Sequence, residues 1–195
     1  KRGPAILFEN IKGCEFQAVS NLFGTLERSK FIFRNSFSKV KQLIELKNDP
    51  IKAIKSPIKN FSLGLLALKS LPKKVNKGPI LFSETTIDKL PMIKCWEKDG
   101  GAFITLPQVF SLDPDNESIL KSNLGMYRIQ LNGNEYTNNK DIGLHYQIHR
   151  GIGVHQTKAN KKGQPLKVSI FIGGAPAHTL AAVMGKRNGV GQRSG

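Results

Sequence analysis

Acidic side chains are scarce in this sequence. Asp and Glu number 14 against 30 Lys and Arg, a formal charge of +16 at pH 7. That excess calls for an anionic partner or a strongly solvated surface. Between Lys39 and Lys77 stand ten lysines and only two acids, Glu45 and Asp49, which is half of the excess. No arginine and, apart from Phe61, no aromatic is interleaved there. Nucleic-acid readers mix Arg and stacking rings into such a patch. A solvated, lysine-rich helix pair is therefore the plainest reading, an anionic membrane surface the next, and a nucleic-acid binder the last. Cysteine is nearly absent. Cys14 and Cys95 lie far apart with no Cys or His at metal spacing, as expected of reduced thiols in a cytosolic protein. No apolar run approaches the roughly 18 residues that span a bilayer. The longest, over residues 63–68, is broken by Gly64 and ends at Lys69. No secretory signal precedes Lys1, and the chain reads as a trimmed piece.

What is present suffices for one or two domains with a real core: 195 residues, 39% of them hydrophobic. Residues 5–8 read as a short buried strand and 18–22 as a second. Thr25 is placed to cap a helix, with Glu27 in its first turn and Phe31, Ile32 and Phe33 beyond. Val40, Leu43, Ile44 and Leu46 give a second helical face that ends before Asp49-Pro50. Residues 51–78, with Pro57 and Pro72, read as short helices and connections. From Gly78-Pro79 onward β-branched and aromatic residues alternate with polar ones. Strands are expected over 102–110 (edge or bulge at Pro107), 124–131, 143–149 and 166–173. Turns are expected at Asp113-Pro-Asp-Asn116 and Asn132-Gly133. A short helix is expected over 176–183, with Pro176 in its first turn. The fold class is α+β: a lysine-rich α/β region over 1–77, a β-rich region over 78–184, and a non-native or irregular tail over 185–195.

The chemistry-bearing residues cluster in the β-rich region. On an unbroken strand over 143–149, Leu144, Tyr146 and Ile148 share one face and His145, Gln147 and His149 the other. Two imidazoles at that spacing suit a divalent ion, and a solvated polar face has the same pattern. Asn123 is a hard oxygen donor or an ordinary strand-start asparagine. Arg128 is a fork for a carboxylate or one half of a surface salt bridge. The two have opposite parity, so both face one site only if Gly125 marks a bulge or the strand begins after it. Otherwise one serves a phosphate–metal end and the other a ring end. Thr105 is a hydroxyl donor or a plain strand threonine.

Six runs, in order, resemble the UbiD decarboxylase family over roughly residues 3–184. They are Gly3-Pro-Ala-Ile-Leu-Phe-Glu-Asn10, Asn21-Leu-Phe-Gly-Thr25, Cys95-Trp-Glu-Lys-Asp-Gly-Gly-Ala-Phe-Ile-Thr105, Asn123-Leu-Gly-Met-Tyr-Arg128, Gly143-Leu-His-Tyr-Gln-Ile-His-Arg-Gly151 and Gly173-Gly-Ala-Pro176. The family uses prenylated flavin mononucleotide (FMN) to remove or add carbon dioxide on aromatic and unsaturated acids. The resemblance implies a flavin-reductase-like split β-barrel for the second region, incomplete here. It makes Arg128 the catalytic group that holds the substrate carboxylate. It places Thr105, Gly125, Met126, Gln147, Val183 and Met184, with Arg128, against the cofactor. Asn123 and His149 become ligands of Mn2+ or another divalent cation, with K+ as a possible companion. His145 stands in reserve, because a one-residue indel separates this run from some members. His155 is read as a loop residue and His178 as a helix-face residue, neither with a family role.

The resemblance further implies a polyprenyl-hydroxybenzoate or related substrate of ubiquinone or menaquinone synthesis, and a flavin prenyltransferase as cofactor supplier. It implies a homo-oligomer in the cytoplasm, with peripheral contact to the inner membrane. Nucleic acid is not an expected partner. The pattern departs from the family after Met184, where a proline-rich run gives way to a small, basic tail. The family's third metal ligand and its acid/base carboxylates lie beyond that point, so this chain alone is expected to be inert. A flavin-binding module without the chemistry, and a basic binder of anionic surfaces or nucleic acid, are the alternatives.

Overall fold

The computed structural model describes residues 3–39 and 75–184, with the single residues 41, 68 and 73. The helical face expected at Val40, Leu43, Ile44 and Leu46, almost all of the patches over 51–72, and the tail after Met184 lie outside the described residues. The chain divides into two compact units, Lys1–Glu9 with Gln17–Glu84, and Asn10–Phe16 with Thr85–Gly195.

In the first unit β1 (Ile6–Phe8) pairs antiparallel with β2 (Ala18–Ser20). Helix α1 (Leu26–Ile32) follows, and Thr25 caps it as expected: its hydroxyl accepts from the Arg28 amide at 3.1 Å, and Glu27 complements the helix N-terminus. Asn21, at φ 56°, turns the chain between strand and helix. Its Nδ2 donates to the carbonyls of Gly3 (2.9 Å) and Pro4 (2.8 Å). Arg28 adds bonds to the carbonyls of Asn21 and Gly3. The first strand was expected to be buried, yet Ile6, Leu7 and Phe8 are all exposed. A two-stranded ribbon has two open faces, and a short apolar run says nothing about what covers it.

The second unit holds two three-stranded antiparallel sheets. One has the order β3 (Phe103–Ile104), β6 (Arg128–Gln130), β7 (Gly143–His145); the other has β5 (Asn123–Met126), β4 (Gln108–Ser111), β8 (Val168–Phe171). Among the described residues the strands form these two separate sheets and no closed barrel. Cross-strand partners share a face. Ile104, Ile129 and Leu144 therefore form one row, and Phe103, Arg128, Gln130 and His145 lie on the opposite face. The apolar row joins Val109, Ala102, Leu131 and Ile152 in the core.

Two helices flank the second sheet. Helix α2 (Gly151–Lys161) meets the face carrying Ser111 and Asn123, and α3 (Pro176–Met184) meets the face carrying Gln108 and Phe171. Ile152, His155 and Ala159, at helical spacing, are the buried stripe of α2. On α3 the His178 ring sits edge-on to Phe171 and its Nδ1 is 3.2 Å from Gln108 Oε1, so it is a helix-face residue as expected.

Four further expectations need correction. The strand over 102–110 is two strands, parted by the bend at Thr105-Leu106. The run 124–131 is also two strands, β5 and β6, which break at Tyr127 and enter different sheets. The strand over 143–149 stops at His145; residues 148–150 form a turn and bend that starts α2. Gln147 and His149 are therefore not in a row with His145, and His155 is a buried helical residue, not a loop residue.

Candidate functional site

Arg128 is the best-anchored member of the expected site. It sits at the start of β6, directly opposite His145 on β7. Its two terminal nitrogens donate to the two carboxylate oxygens of Asp99, Nη1 to Oδ1 at 3.3 Å and Nη2 to Oδ2 at 3.0 Å. The guanidinium lies over the Phe103 ring at 3.9 Å and near the Trp96 ring at 5.0 Å, both within cation–π range. Its Nε is buried with no hydrogen-bond partner among the described residues. The Arg128 hydrogen bonds outweigh burial and hold the Asp99 carboxyl below the usual carboxylate range. Beside it, His145 Nε2 is 3.1 Å from Gln130 Oε1, and its ring meets Phe103 edge-on at 5.3 Å.

The sequence run before β3 explains how Asp99 reaches this place. Trp96 and Asp99 close a turn: the Asp99 amide donates to the Trp96 carbonyl at 3.0 Å, and the Trp96 amide donates to Asp99 Oδ2 at 3.3 Å. Gly100 and Gly101 then cross the chain at Asn132-Gly133. A Cβ on Gly101 would lie 2.0 Å from the Asn132 carbonyl oxygen; one on Gly133 (φ +93°) would lie 1.7 Å from the Gly100 oxygen. The Ala102 amide is held by Asn132 Oδ1 at 2.8 Å. The Asp-Gly-Gly run is thus a close backbone crossing.

A second group forms where β5 meets α2. Asn123 Oδ1 would lie 2.1 Å from a Cβ on Gly151, so any side chain at that helix start would have to displace the Asn123 carboxamide. Asn123 Nδ2 and the Ile152 amide both donate to the Tyr127 hydroxyl, each at 3.4 Å. The first turn of α2 carries no acid, and its N-cap residue, Arg150, makes no side-chain cap bond. Exposed His149 stands two residues before Gly151, and Gln147 Oε1 accepts from Arg150 Nε at 3.2 Å. Deeper along the helix, Ser111 Oγ is 2.9 Å from His155 Nδ1, both buried. Burial lowers the His155 imidazole below its ordinary value. Asp113 opposes that shift and Lys158 adds to it. Lys158 bridges Asp113 at 2.7 Å and Asp115 at 3.2 Å, strapping α2 to the β4–β5 turn.

The structure therefore groups Asn123 with the His149 end of α2 and puts Arg128 in a different sheet beside His145. Thr105 is half-buried in the bend between β3 and β4. Gly125 and Met126 lie on β5, paired with Val109 and Gln108. Val183 is exposed near the end of α3, and Met184 closes that helix. Sequence reasoning missed Asp99, Trp96 and Phe103 around Arg128, and Tyr127 beside Asn123. The first three lie in the run 95–105, whose Asp-Gly-Gly was the available signal.

These groups fit a phosphate-bearing cofactor. A helix start with no acid in its first turn and an adjacent carboxamide suits a phosphate. The buried, unpartnered Nε of Arg128 suits an anion at the other end. A metal is less well served. Among the described residues no group of three His, Cys, Asp or Glu is arranged to hold one. Asn123 and His149 supply two donors, too few to fix an ion by themselves.

Comparison with known proteins identifies the family. The 3-octaprenyl-4-hydroxybenzoate carboxy-lyase Rift-related domain (UbiD) matches residues 71–192, and the N-terminal domain of that carboxy-lyase matches residues 1–47. A 4-hydroxybenzoate decarboxylase subunit of Chlamydia pneumoniae is 36% identical over 187 residues, 93% of this chain and 30% of that protein. An uncharacterised protein of Chlamydia trachomatis is 37% identical over 188 residues, 94% of this chain and 31% of its own length. The chain thus spans about a third of the length of these relatives. Among solved structures, the closed vanillic acid decarboxylase of Sedimentibacter hydroxybenzoicus superposes with a TM-score of 0.68 at 24% identity, over 92% of this chain and 36% of that one. The UbiD-class enzyme HmfF of Pelotomaculum thermopropionicum, solved with FMN, gives 0.59 at 21% identity, over 89% and 34%. These two share the fold. With both family domains matched in order, the chain belongs to the UbiD family of carboxy-lyases.

Proposed function

We propose that this chain carries the cofactor-phosphate and carboxylate-binding part of a non-oxidative decarboxylase that uses prenylated FMN on aromatic or unsaturated acids. The observation that carries this reading is Arg128: a guanidinium fixed by a carboxylate and a ring, with one donor buried and unpartnered. The start of α2, with Asn123, His149 and Arg150, would hold the phosphate through main-chain amides and local positive charge. Asn123 and His149 are the two donors offered to a divalent cation such as Mn2+, with K+ as a possible addition. Thr105, Gly125, Met126, Gln147, Val183 and Met184 are assigned to the rest of the cofactor, and the two sheets to the halves of a flavin-reductase-like split barrel. Bound there, the prenylated flavin supplies a ring that accepts the electrons left when carbon dioxide departs. Arg128 would hold the leaving carboxylate in one orientation, and its charge favours the anionic form of the acid. The buried ring of Phe103 covers one face of the guanidinium.

Substrates of the polyprenyl-hydroxybenzoate kind, a place in ubiquinone or menaquinone synthesis, and a flavin prenyltransferase as supplier are parts of the same proposal. So is work alongside further polypeptides, for which the naming of the Chlamydia pneumoniae relative as one subunit of a decarboxylase is the support. The 195 residues alone are proposed to be inert, because they span only part of the relatives and offer two metal donors.

The test uses a complete decarboxylase carrying these 195 residues, co-expressed with a flavin prenyltransferase. Arg128→Ala should abolish carbon dioxide release and keep the flavin, and Arg128→Lys should also fail because a point charge lacks the planar fork. His149→Ala should lose flavin on desalting. Equal flavin loss in Arg128→Ala and His149→Ala, or turnover by protein shown by mass spectrometry to lack cofactor, would sink the reading.

A further inference from the structure

Asp99 can stand toward Arg128 in two ways. It can occupy the place of a substrate carboxylate and swing away on binding, or it can hold the guanidinium while another edge does the binding. The geometry points to the second: we propose that Asp99 is the positioning residue of this site, fixing the terminal fork of Arg128 so that its Nε edge is offered to the substrate carboxylate. The inference rests on the decarboxylase reading above.

Four observations support it. Asp99 takes both terminal nitrogens and leaves Nε without a partner among the described residues, so the donor inventory of Arg128 is divided between two edges. A buried donor with no partner marks the place of a missing acceptor. Asp99 is not free to swing. Its amide and its Oδ2 close the turn with Trp96, and the next two residues are jammed against Asn132-Gly133. The plane of the guanidinium is set independently by Phe103, 3.9 Å from Cζ, and Phe103 is itself buried. Finally, the Asp99 side chain is 12% exposed and that of Arg128 is 35% exposed, so the arginine, not the carboxylate, is the more accessible member of the pair.

The electrostatic sign sets the expected behaviour. Asp99 cancels much of the charge of Arg128, so it weakens the pull on any substrate anion. In return it supplies orientation, and misplaced reacting groups lose up to about a hundredfold in rate. Asp99→Asn keeps the size and the Trp96 bond but cannot serve both terminal nitrogens. In the complete, cofactor-loaded decarboxylase this variant should leave KM unchanged or lower it and reduce kcat about ten- to a hundredfold. Asp99→Glu restores charge without the geometry and should show the same kcat loss. A merely structural role would instead lower the thermal midpoint and the amount of active enzyme together, with no split between kcat and KM.

The second readout needs no turnover. In the full chain labelled with 15N-arginine, the Arg128 signals are assigned by their loss in Arg128→Lys. Benzoate is the probe. The wild type should show resolved Nη signals, because the pair with Asp99 slows rotation about the C–N bonds, and benzoate should shift Nε–H. In Asp99→Asn the Nη signals should merge. Unchanged kcat in Asp99→Asn while Arg128→Ala is inactive would overturn the role of Asp99 and leave the decarboxylase reading intact. Benzoate shifting the Nη signals instead of Nε–H would show that Asp99 is displaced, and would overturn it too. Decarboxylation surviving in Arg128→Ala would overturn both.

Discussion

At the scale of single residues, the site depends on two glycines that let one backbone cross another. Gly101→Ala puts a Cβ 2.0 Å from a carbonyl oxygen, and a main-chain oxygen cannot rotate out of the way. The variant is expected to lose about 1–3 kcal/mol of stability by overpacking. Gly163→Ala is the control. Its φ is positive, at +64°, but nothing lies within 4 Å, so only the left-handed backbone penalises it, by about 1 kcal/mol. Urea midpoints should fall further in Gly101→Ala than in Gly163→Ala, and Gly101→Ala should also disturb the Arg128 signals. Equal losses would show that the crossing matters no more than an ordinary turn.

At the scale of elements, the well-read pieces were those whose signal is local. Thr25 with Glu27 announces α1, the Pro176 helix is present, and the turn at Asp113-Pro-Asp-Asn116 is closed by an Asn116 amide to Asp113 carbonyl bond of 3.0 Å. Cys14 and Cys95 are free thiols, as spacing implied. Thr25→Ala should accordingly cost about 1 kcal/mol in α1, seen as faster exchange of the Arg28 amide, while Thr25→Ser should stay near wild type. The misread pieces were set by tertiary contacts. Helix α2 begins with Gly-Ile-Gly, a poor helix start by propensity, and exists because Ile152, His155 and Ala159 pack on the sheet. Their spacing was visible, but the alternation of the preceding residues masked it. The site residues divided in the same way. Arg128 and Asn123 were legible as donors, whereas the pairing of Arg128 with Asp99 brings together residues 29 positions apart, and Asp-Gly-Gly signals a turn there without naming its partner. The break at Tyr127 was equally invisible, because each half of the run alternates like a strand.

At the scale of the whole molecule, stability should respond to acid in two stages. The His155 imidazole is lowered from its ordinary 6.5 chiefly by burial, with Ser111, Asp113 and Lys158 around it. At pH values above 6.5 it is neutral in both folded and unfolded chains, and its contribution is complete. As pH falls through 6.5 the unfolded chain takes up the proton first, so folding weakens. The carboxyls of Asp99, Asp113 and Asp115 are held below 3.8, so their contributions are present above that value and are lost as pH falls through their lowered folded-state values. Thermal midpoints at about pH 7.5, 5.5 and 3.5 should therefore fall stepwise. His155→Gln should flatten the first step and leave the second. A first step that survives in His155→Gln would assign it elsewhere. The corner at Tyr127 has a different consequence. One short run feeds both sheets, so chain length there is a constraint separate from residue identity. Inserting or deleting a single residue between Met126 and Arg128 would invert β6 against its neighbours, turning Ile129 outward and the guanidinium into the apolar core. Drift in spacing at this corner cannot be absorbed.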